Sequence, residues 1–391
     1  MNIVTMNPVG IHIVKVASRK EWNDFISLPR MIYKDCKQYV PDLDLDIRST
    51  FNQKTNAGLE CSDVQPLIAY KDGVPVGRIA GIINHRANEI WNTKTVRFGF
   101  IEFIDDQNVS AALLDAVEQW GREHGMSTIQ GPMGITDFDK EGMLIEDFDM
   151  LGSIISIYNH PYYPVHMERH GYAKAADWVH VRVTMPPETP EKFTKIARMV
   201  KQRYKVHVRK ITRKEMRGEK GRQMFDVLNK AYAPLFGFSR LSDRQVSDFI
   251  RTYLPLVDMN LVPVIENDKG DIVGMAASLG SLSHAFRKTQ GRLLPFGWWH
   301  ILKSLKLKRE DTVDMILIGL LPEYQGKGIN ALFFDDLVPL YNKYHFTYAE
   351  AAPQLETNIK ELSQWEYFPE YKICKRRRCY RKDISMGIQE I

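Results

Sequence analysis

The sequence predicts a mixed α/β fold, an α+β mixed sheet, in two tandem copies of one unit. The 391 residues exceed one typical domain of roughly 100 to 200 residues. A composition of 44% hydrophobic and 26% charged residues supplies enough apolar side chains for packed cores. The order hairpin, strand, helix, strand occurs twice, and the proline-bearing segment 186–193 separates the copies. We therefore predict domains at 1–187 and 188–391.

The first copy begins with a strand and a broken helical region. Asp72-Gly73 lies between two apolar stretches, and both positions tolerate positive φ, so a hairpin is predicted there. We expect Pro29 and Pro41 to interrupt the helical pattern. The predicted elements are a strand over 11–16, helical pattern over 20–51, a strand over 97–104, a helix over 110–124 and a strand over 127–130.

The second copy repeats this order after residue 187. Its predicted elements are a strand over 204–211, helices over 221–232 and 242–254, a hairpin of 261–265 with 272–279, a strand over 314–321, a helix over 329–341 and a strand over 346–351.

Charge divides unevenly between the copies. Residues 1–190 carry −7 and residues 191–391 carry +12. Two interpretations stay open: the basic half holds a polyanionic ligand, or the two surfaces are simply solvated differently. The total of +5 is too small to indicate a nucleic-acid partner.

The four cysteines and the amino terminus indicate a reducing compartment. Cys36, Cys61, Cys374 and Cys379 form no CxxC pair and have no nearby histidine at zinc spacing, so no metal is expected. The amino terminus lacks a basic region, an apolar core and a cleavage site, and no apolar run approaches the roughly 18 residues of a membrane span. We predict a cytoplasmic protein.

The chemistry-bearing motif follows the apolar strand near residue 320. A glycine-bearing turn between a strand and a helix leaves backbone N–H groups facing outward, and the helix dipole adds positive charge, so the turn suits a phosphate or pyrophosphate. It matches neither a Walker loop nor a dinucleotide fingerprint. The predicted cofactor-binding residues are Leu320, Leu321, Gln325, Gly326, Lys327, Gly328, Ile329, Asn330 and Ala331.

The stretch from Gln325 to Asn330 resembles motif A of the GNAT acetyltransferase superfamily, Q/R-x-x-G-x-G/A, and a strand ending in apolar-x-Pro-Glu precedes it as in that family. The resemblance implies tandem GNAT domains, with acetyl-CoA or another acyl-CoA as cosubstrate and an amine as acceptor. Asn330 departs from the family, which prefers Gly or Ala there.

The same resemblance suggests catalytic residues. GNAT enzymes often carry an Asn in the last helix and, seven residues later, a Tyr that protonates the CoA thiolate; here Asn358 is present but Trp365 occupies the second position. Tyr367, two residues on, is the remaining candidate acid. Asp314 matches the offset of the general-base Glu found in one branch, and the alternative is a solvated carboxylate at a strand start.

The first copy has Asp105 and Asp106 where the second has its glycine turn. Two carboxylates would repel pyrophosphate, so this lobe is expected to keep the fold without binding CoA. The later part of the first copy resembles a group of bacterial proteins with two GNAT-like lobes. The shared residues include Gly131-Pro132, Asn159 and Tyr162-Tyr163.

The acidic stretch 137–149 of the first copy, together with Glu102, either attracts a cationic acceptor or forms a solvated loop. Its spacing does not fit a calcium loop, because Phe148 stands where the last ligand is required. His160, His166 and His170 are not expected to bind metal.

Two basic segments remain. The 298–309 stretch is a basic amphipathic helix with Trp298-Trp299, which either packs on its own core, the commoner use of such helices, or contacts an anionic membrane. The run 372–382 is predicted to be a basic edge strand.

The function predicted from these residues is acyl-CoA-dependent N-acyl transfer, of an acetyl group above all, to a small-molecule or peptide amine. One alternative is a non-catalytic protein that binds CoA or a small ligand. Another is an aminoacyl transferase resembling the FemX proteins, which would use charged tRNA and would not need the glycine turn.

Overall fold

The protein is described by a computed structural model over residues 3–6, 10–307 and 309–385. The chain divides into two compact units. Unit 1 comprises residues 1–178, 285–300 and 375–391, and unit 2 comprises 179–284 and 301–374. The division thus lies at 178/179, inside a strand, and residues 375–385 belong with unit 1.

The strands, in chain order, are β1 (Ile3–Met6), β2 (Ile11–Lys15), β3 (Ser62–Lys71), β4 (Val74–Asn84), β5 (Thr95–Phe103), β6 (Thr128–Gly131), β7 (Met143–Leu144), β8 (Ala173–Thr184), β9 (His207–Lys210), β10 (Pro263–Glu266), β11 (Ile272–Gly280), β12 (Thr312–Leu320), β13 (Tyr348–Leu355) and β14 (Tyr371–Asp383).

The helices are α1 (Arg19–Ile32), α2 (Asp44–Thr50), α3 (His85–Ile90), α4 (Gln107–Glu123), α5 (Tyr162–Arg169), α6 (Glu191–Tyr204), α7 (Arg213–Met216), α8 (Glu219–Tyr232), α9 (Asp243–Tyr253), α10 (Ser283–Thr289), α11 (Gly297–Lys306), α12 (Ala331–Lys343) and α13 (Ile359–Leu362).

Each unit contains a mixed sheet with one parallel pair joined by a helix. In unit 1 the order is β1-β2-β3-β4-β5-β6-β14, and β5 runs parallel to β6 through the α4 connection. In unit 2 the order is β8-β13-β12-β11-β10-β9, and β12 runs parallel to β13 through α12. The repeated unit that the sequence predicts is therefore present in both.

Helix α4 forms because its apolar residues recur at helical spacing. Val109, Leu113 and Val117 are fully buried against the sheet of unit 1. Burying each such side chain contributes about 1.5 to 3 kcal/mol. The helix ends at Glu123, and Gly125 just after it adopts φ +76°, the left-handed conformation common in residues that terminate helices.

Proline 29 does not break its helix, contrary to the prediction. Helix α1 continues through Pro29 to Ile32. A proline has no N–H to give to the carbonyl four residues earlier, which is that of Phe25. The Arg78 guanidinium supplies the missing donor, with Nη1 2.8 Å from the Phe25 oxygen. A side chain from β4 thus replaces the lost helical hydrogen bond.

The basic run 372–382 is a strand but not an edge strand, so the prediction of an edge position is wrong. β14 lies between β6 and β8, and it also pairs with β7. Arg377 is buried and donates to Ser156 Oγ at 2.9 Å and to the Ile157 carbonyl. Arg378 makes a bidentate bond to Asp177, at 2.9 and 3.0 Å. Buried acceptors, rather than solvent, hold these cations.

Unit 2 is built around α12. Leu332, Phe333 and Leu337 are buried against β12 and β13, and α6 packs beside them. The strand predicted over 204–211 is shorter, because α6 extends to Tyr204 and Lys205 ends it in the left-handed conformation, φ +50°. Only β9 remains of that prediction.

Candidate functional site

The glycine turn lies between β12 and α12, where the sequence predicts it. A short 3-10 turn over Pro322–Tyr324 follows the strand. Gly326 and Gly328 then adopt φ +70° and +76°, which L side chains rarely adopt. A Cβ at Gly328 would lie 2.9 Å from the Cγ2 atom of Ile196 on α6, so this glycine also permits close packing.

The backbone of this turn presents unpaired donors. Among the described residues, no acceptor pairs with the N–H groups of residues 326–330. The next N–H along the chain, that of Ala331, bonds the Gly328 carbonyl at 3.1 Å. Consecutive free N–H groups at the start of a helix form an anion-binding concavity, and the helix dipole adds to it.

Side chains leave the turn open and make it basic. Gln325, Gly326 and Lys327 are exposed. The Gln325 amide bonds back to the Leu320 carbonyl at 2.9 Å, which closes the turn on itself. The Lys327 ammonium lies 5.3 Å from the ring centroid of Tyr204, so it stays beside the turn.

β12 separates from β13 just before the turn. Their parallel pairing covers residues 312–315 of β12, whereas β12 continues to Leu320 and β13 to Leu355. The β11 register shifts between Ala277 and Ser278, so β12 carries one extra residue there. The Ile318 carbonyl, beyond this bulge, accepts from the hydroxyl of the half-buried Tyr232 at 3.1 Å. The strands thus open toward the same end at which the free N–H groups lie.

Asn330, the departure from the motif, is accommodated within unit 2. Its amide donates to Gln364 Oε1 at 2.8 Å, and the Gln364 amide donates to Glu361 Oε1 at 2.5 Å. Burial raises the pKa of Glu361, and the bond from Gln364 opposes this rise. Gln364 and Glu361 were missed by the sequence reasoning, and no motif in their segment marks them.

The GNAT resemblance draws attention to Asn358, Trp365 and Tyr367. These three residues lie in different surroundings. Asn358 is the N-cap residue of α13 and makes no side-chain cap bond. Trp365 is buried and its indole N–H donates to Gln354 at 3.0 Å, so it offers no acidic proton. Tyr367 packs on Phe193 of α6, with the Lys192 ammonium 3.5 Å from its ring centroid.

Asp314 is not a solvated carboxylate. It is 3% exposed and lies in register with Glu350 of β13, one residue before the parallel pairing ends. Glu350 is also buried, with one oxygen 3.2 Å from His180 Nδ1 of β8. His180 and Glu350 were missed, although a histidine and a glutamate inside apolar strands are a recognisable signal.

The equivalent place in unit 1 is closed. Asp106 caps α4, accepting from the Asn108 N–H at 2.9 Å, and it pairs with Lys71 at 3.0 Å. The bond from Lys71, with that N–H, lowers the pKa of Asp106. At the end of β5, the Phe103 N–H donates to the Tyr163 hydroxyl, and the Phe103 carbonyl accepts from the Tyr162 hydroxyl.

Glu102 lies in the same closed region. Tyr33 and Tyr163 both donate to its Oε2 atom, at 2.6 and 2.7 Å, and Arg78 is 3.9 Å away. Burial raises its pKa to about 7, against the opposing effects of Arg78 and the two hydroxyls.

The acidic stretch 137–149 is not a free, solvated loop. Asp137 lies 3.6 Å from Arg97, Asp139 accepts from the Thr136 N–H at 2.8 Å, and Asp147 accepts from the Lys375 N–H at 2.8 Å. No set of side chains suited to a metal ion occurs over 3–6, 10–307 and 309–385.

The three histidines meet partners inside unit 1. Ser110 Oγ lies 2.9 Å from His166 Nδ1 and 2.8 Å from His170 Nε2. His166 Nε2 in turn lies 2.9 Å from Asp105. Burial lowers the pKa of His170. Separately, none of the helices within the described ranges has the length and apolarity that crossing a bilayer requires.

Comparison with known proteins identifies the fold. No protein-family profile matches the chain. It is similar to the protein YghO of Escherichia coli (strain K12), with 27% identity over 376 residues that cover 94% of both chains. It is also similar to a bacterial ceramide synthase of Caulobacter vibrioides, with 24% identity over 384 residues covering 93% of this chain and 96% of the relative.

A solved tandem GNAT protein from the clavulanic acid biosynthesis pathway superposes with a TM-score of 0.56 at 10% identity, covering 96% of this chain and 99% of its own. The chain therefore has the tandem GNAT fold that motif A predicts.

Proposed function

We propose that the protein is an acyl-CoA-dependent N-acyltransferase whose donor site lies in unit 2. The observation that carries this proposal is the run of unpaired N–H groups over residues 326–330, at the end of a strand that has separated from its parallel neighbour. These donors fit the CoA pyrophosphate, and the opening between β12 and β13 fits its extended pantetheine arm. The thioester supplies the activated acyl group.

The chemistry requires an amine nitrogen to attack the thioester carbonyl carbon while the carbon–sulfur bond breaks. The nitrogen must lose a proton and the thiolate must gain one. Asp314 is our candidate base because it lies at the point where the strands separate. Tyr367 and Asn358 remain candidates for the thiolate side. Tyr232 joins them, since its hydroxyl reaches the opened half of β12.

The acceptor is proposed from chemistry and from one relative. A ceramide synthase, by its name, forms an amide between a fatty acid and a long-chain amine. We therefore propose long-chain amines as the first acceptor class to test, beside the small-molecule and peptide amines that the sequence predicts. The acyl donor is acetyl-CoA or a longer acyl-CoA, and the reaction is proposed to occur in the cytoplasm.

Calorimetric titration with acetyl-CoA and with palmitoyl-CoA tests the donor site. We expect one acyl-CoA per chain, and at least about a hundredfold weaker binding for the Gly326→Asp, Gly328→Asp variant, because two carboxylates and backbone strain would both oppose the pyrophosphate. The matched control is Gly270→Asp in the β10–β11 hairpin, where φ is +81° and a Cβ has equal room to that at Gly326. Unchanged binding in the double variant would contradict the proposed site.

Release of free CoA thiol then tests transfer, with sphinganine and short amines as acceptors. The second candidate, a non-catalytic CoA-binding protein, is favoured by the buried Trp365 at the usual acid position. Tight binding of acyl-CoA, with no CoA thiol released in the presence of any amine, would support that candidate instead.

A further inference from the structure

The segment 292–307, which comprises the turn before α11 and the helix itself, carries an unusual surface. Six large apolar side chains on it are 38% to 78% exposed: Leu294, Phe296, Trp298, Trp299, Leu302 and Leu307. Elsewhere in the described chain, exposed large hydrophobics stand singly or in short pairs such as Ile90 and Trp91. Trp298 and Trp299 are thus only half-buried, at 48% and 44% exposed.

The local fold holds these side chains outward. The Leu293 carbonyl accepts from the Trp298 N–H at 2.9 Å, and the Pro295 carbonyl accepts from the Trp298 indole at 3.0 Å. On the opposite side of α11, Ser304 is buried, and its hydroxyl lies 3.4 Å from Glu310. The helix thus buries one face and presents aromatic and apolar side chains on the other.

The surroundings of this surface are basic. From residue 272 to residue 309 the sequence contains no Asp or Glu. Lys303 and Lys306 are exposed on α11, and Arg292 is exposed on the turn before it. Lys308, part of the same basic pattern, lies outside the described residues. A segment with six exposed apolar side chains and several cations, but no carboxylate of its own, is unlike an ordinary solvated surface.

We propose that the 292–307 segment docks the protein on an anionic lipid bilayer. Apolar side chains of such a segment enter the boundary between headgroups and acyl chains, tryptophans favour that boundary, and lysines pair with lipid phosphates. The lack of Asp and Glu within residues 272–309 gives the segment a positive charge, which is complementary to an anionic surface. This proposal goes beyond acyl transfer, and it concerns a surface separate from the glycine turn.

Co-sedimentation of the full chain with vesicles tests the proposal without any substrate, so its failure is distinguishable from failure of the proposed reaction. Vesicles of phosphatidylcholine alone are compared with vesicles containing about 30% phosphatidylglycerol. We expect binding to the anionic vesicles to be at least about tenfold tighter, and to weaken at high salt because the phosphate contacts are screened.

Two variants separate the apolar and electrostatic contributions. Leu294→Ser with Phe296→Ser removes exposed side chains and should weaken binding by about tenfold. Lys303→Glu with Lys306→Glu should abolish the preference for anionic vesicles. The matched controls are Ile90→Ser with Trp91→Ser on α3, and Lys54→Glu with Lys269→Glu, all at exposed positions, and these should bind like the unaltered protein.

Absence of vesicle binding by the unaltered protein, or binding that both variants retain in full, would overturn the proposal. Size-exclusion chromatography adds one further outcome. A dimer that the Leu294→Ser, Phe296→Ser variant converts to monomer, with no vesicle binding, would assign the surface to a second copy of the chain and would equally overturn it.

Discussion

The two strand–helix connections of this protein, β5 to α4 and β12 to α12, begin from the same architecture and end differently. Both strands carry a bulge, and both separate from a parallel neighbour after three or four paired residues. In unit 1 the helix start is capped by Asp106, and Tyr162 and Tyr163 bond the strand end. In unit 2 no side chain caps the helix start, and the N–H groups of residues 326–330 have no acceptor among the described residues.

The comparison teaches that the anion site proposed for unit 2 depends on leaving backbone N–H groups without partners. A helix start can be satisfied by its own side chains, which stabilises the fold, or left open for a ligand, which costs stability until the ligand binds. Unit 1 has the first arrangement and unit 2 the second. The penultimate strand residue differs in the same sense, being the buried Glu102 in unit 1 and Gly319 in unit 2.

The largest expected effect concerns Glu102 and the pH dependence of the free energy of unfolding. Its pKa of about 7 lies above the ordinary 4.5, so its contribution to the free energy of unfolding is fully present below about pH 4.5 and is lost as pH rises through 7. Glu102→Gln keeps an acceptor for the two tyrosines and should be more stable than the unaltered protein at pH 8 by roughly 3 kcal/mol. Thermal unfolding across this pH range measures the difference.

The surface change Glu89→Gln, on α3, is the matched control and should leave the pH dependence as it was. Equal pH profiles for Glu102→Gln and the unaltered protein would mean that the closed region of unit 1 is not sealed from water.

The next effect transfers the unit 1 arrangement to unit 2. Asn330→Asp places a carboxylate at the start of α12, as Asp106 does for α4, and should weaken acyl-CoA binding about tenfold, or about 1.4 kcal/mol. Calorimetry measures it. Asn330→Gly removes the bond to Gln364 without adding charge and should bind at least as well as the unaltered protein. Equal loss in both variants would show that the Gln364 bond, not charge, matters.

The smallest effect opens unit 1. Asp106→Ala removes the cap of α4 and should lower the free energy of unfolding by about 1 kcal/mol, measured by urea denaturation. Acyl-CoA affinity and stoichiometry should stay unchanged, because Tyr162 and Tyr163 still bond the strand end. A second acyl-CoA bound per chain in this variant would break the comparison, since the cap alone would then have closed the site.

Local sequence patterns were sufficient for most elements and for the glycine turn at which we propose the donor site. Apolar periodicity located α4 and α12, and the glycine turn located the free N–H groups, because these depend on residues close in the chain. The same patterns failed at Pro29, where Arg78 from β4 restores the helix, and at β14, where buried acceptors turn a basic run into an interior strand.

What the sequence by itself determined is the repeated α/β unit, the turn at 325–330 and its contrast with Asp105-Asp106. What only the tertiary structure decided is the burial and the contacts of each charged or aromatic side chain. Asp314 is buried beside Glu350, Glu102 lies among tyrosines, and Trp298 and Trp299 face outward. The physical reason is that burial and pairing arise between residues far apart in the chain, and these set the desolvation and hydrogen bonding of each group.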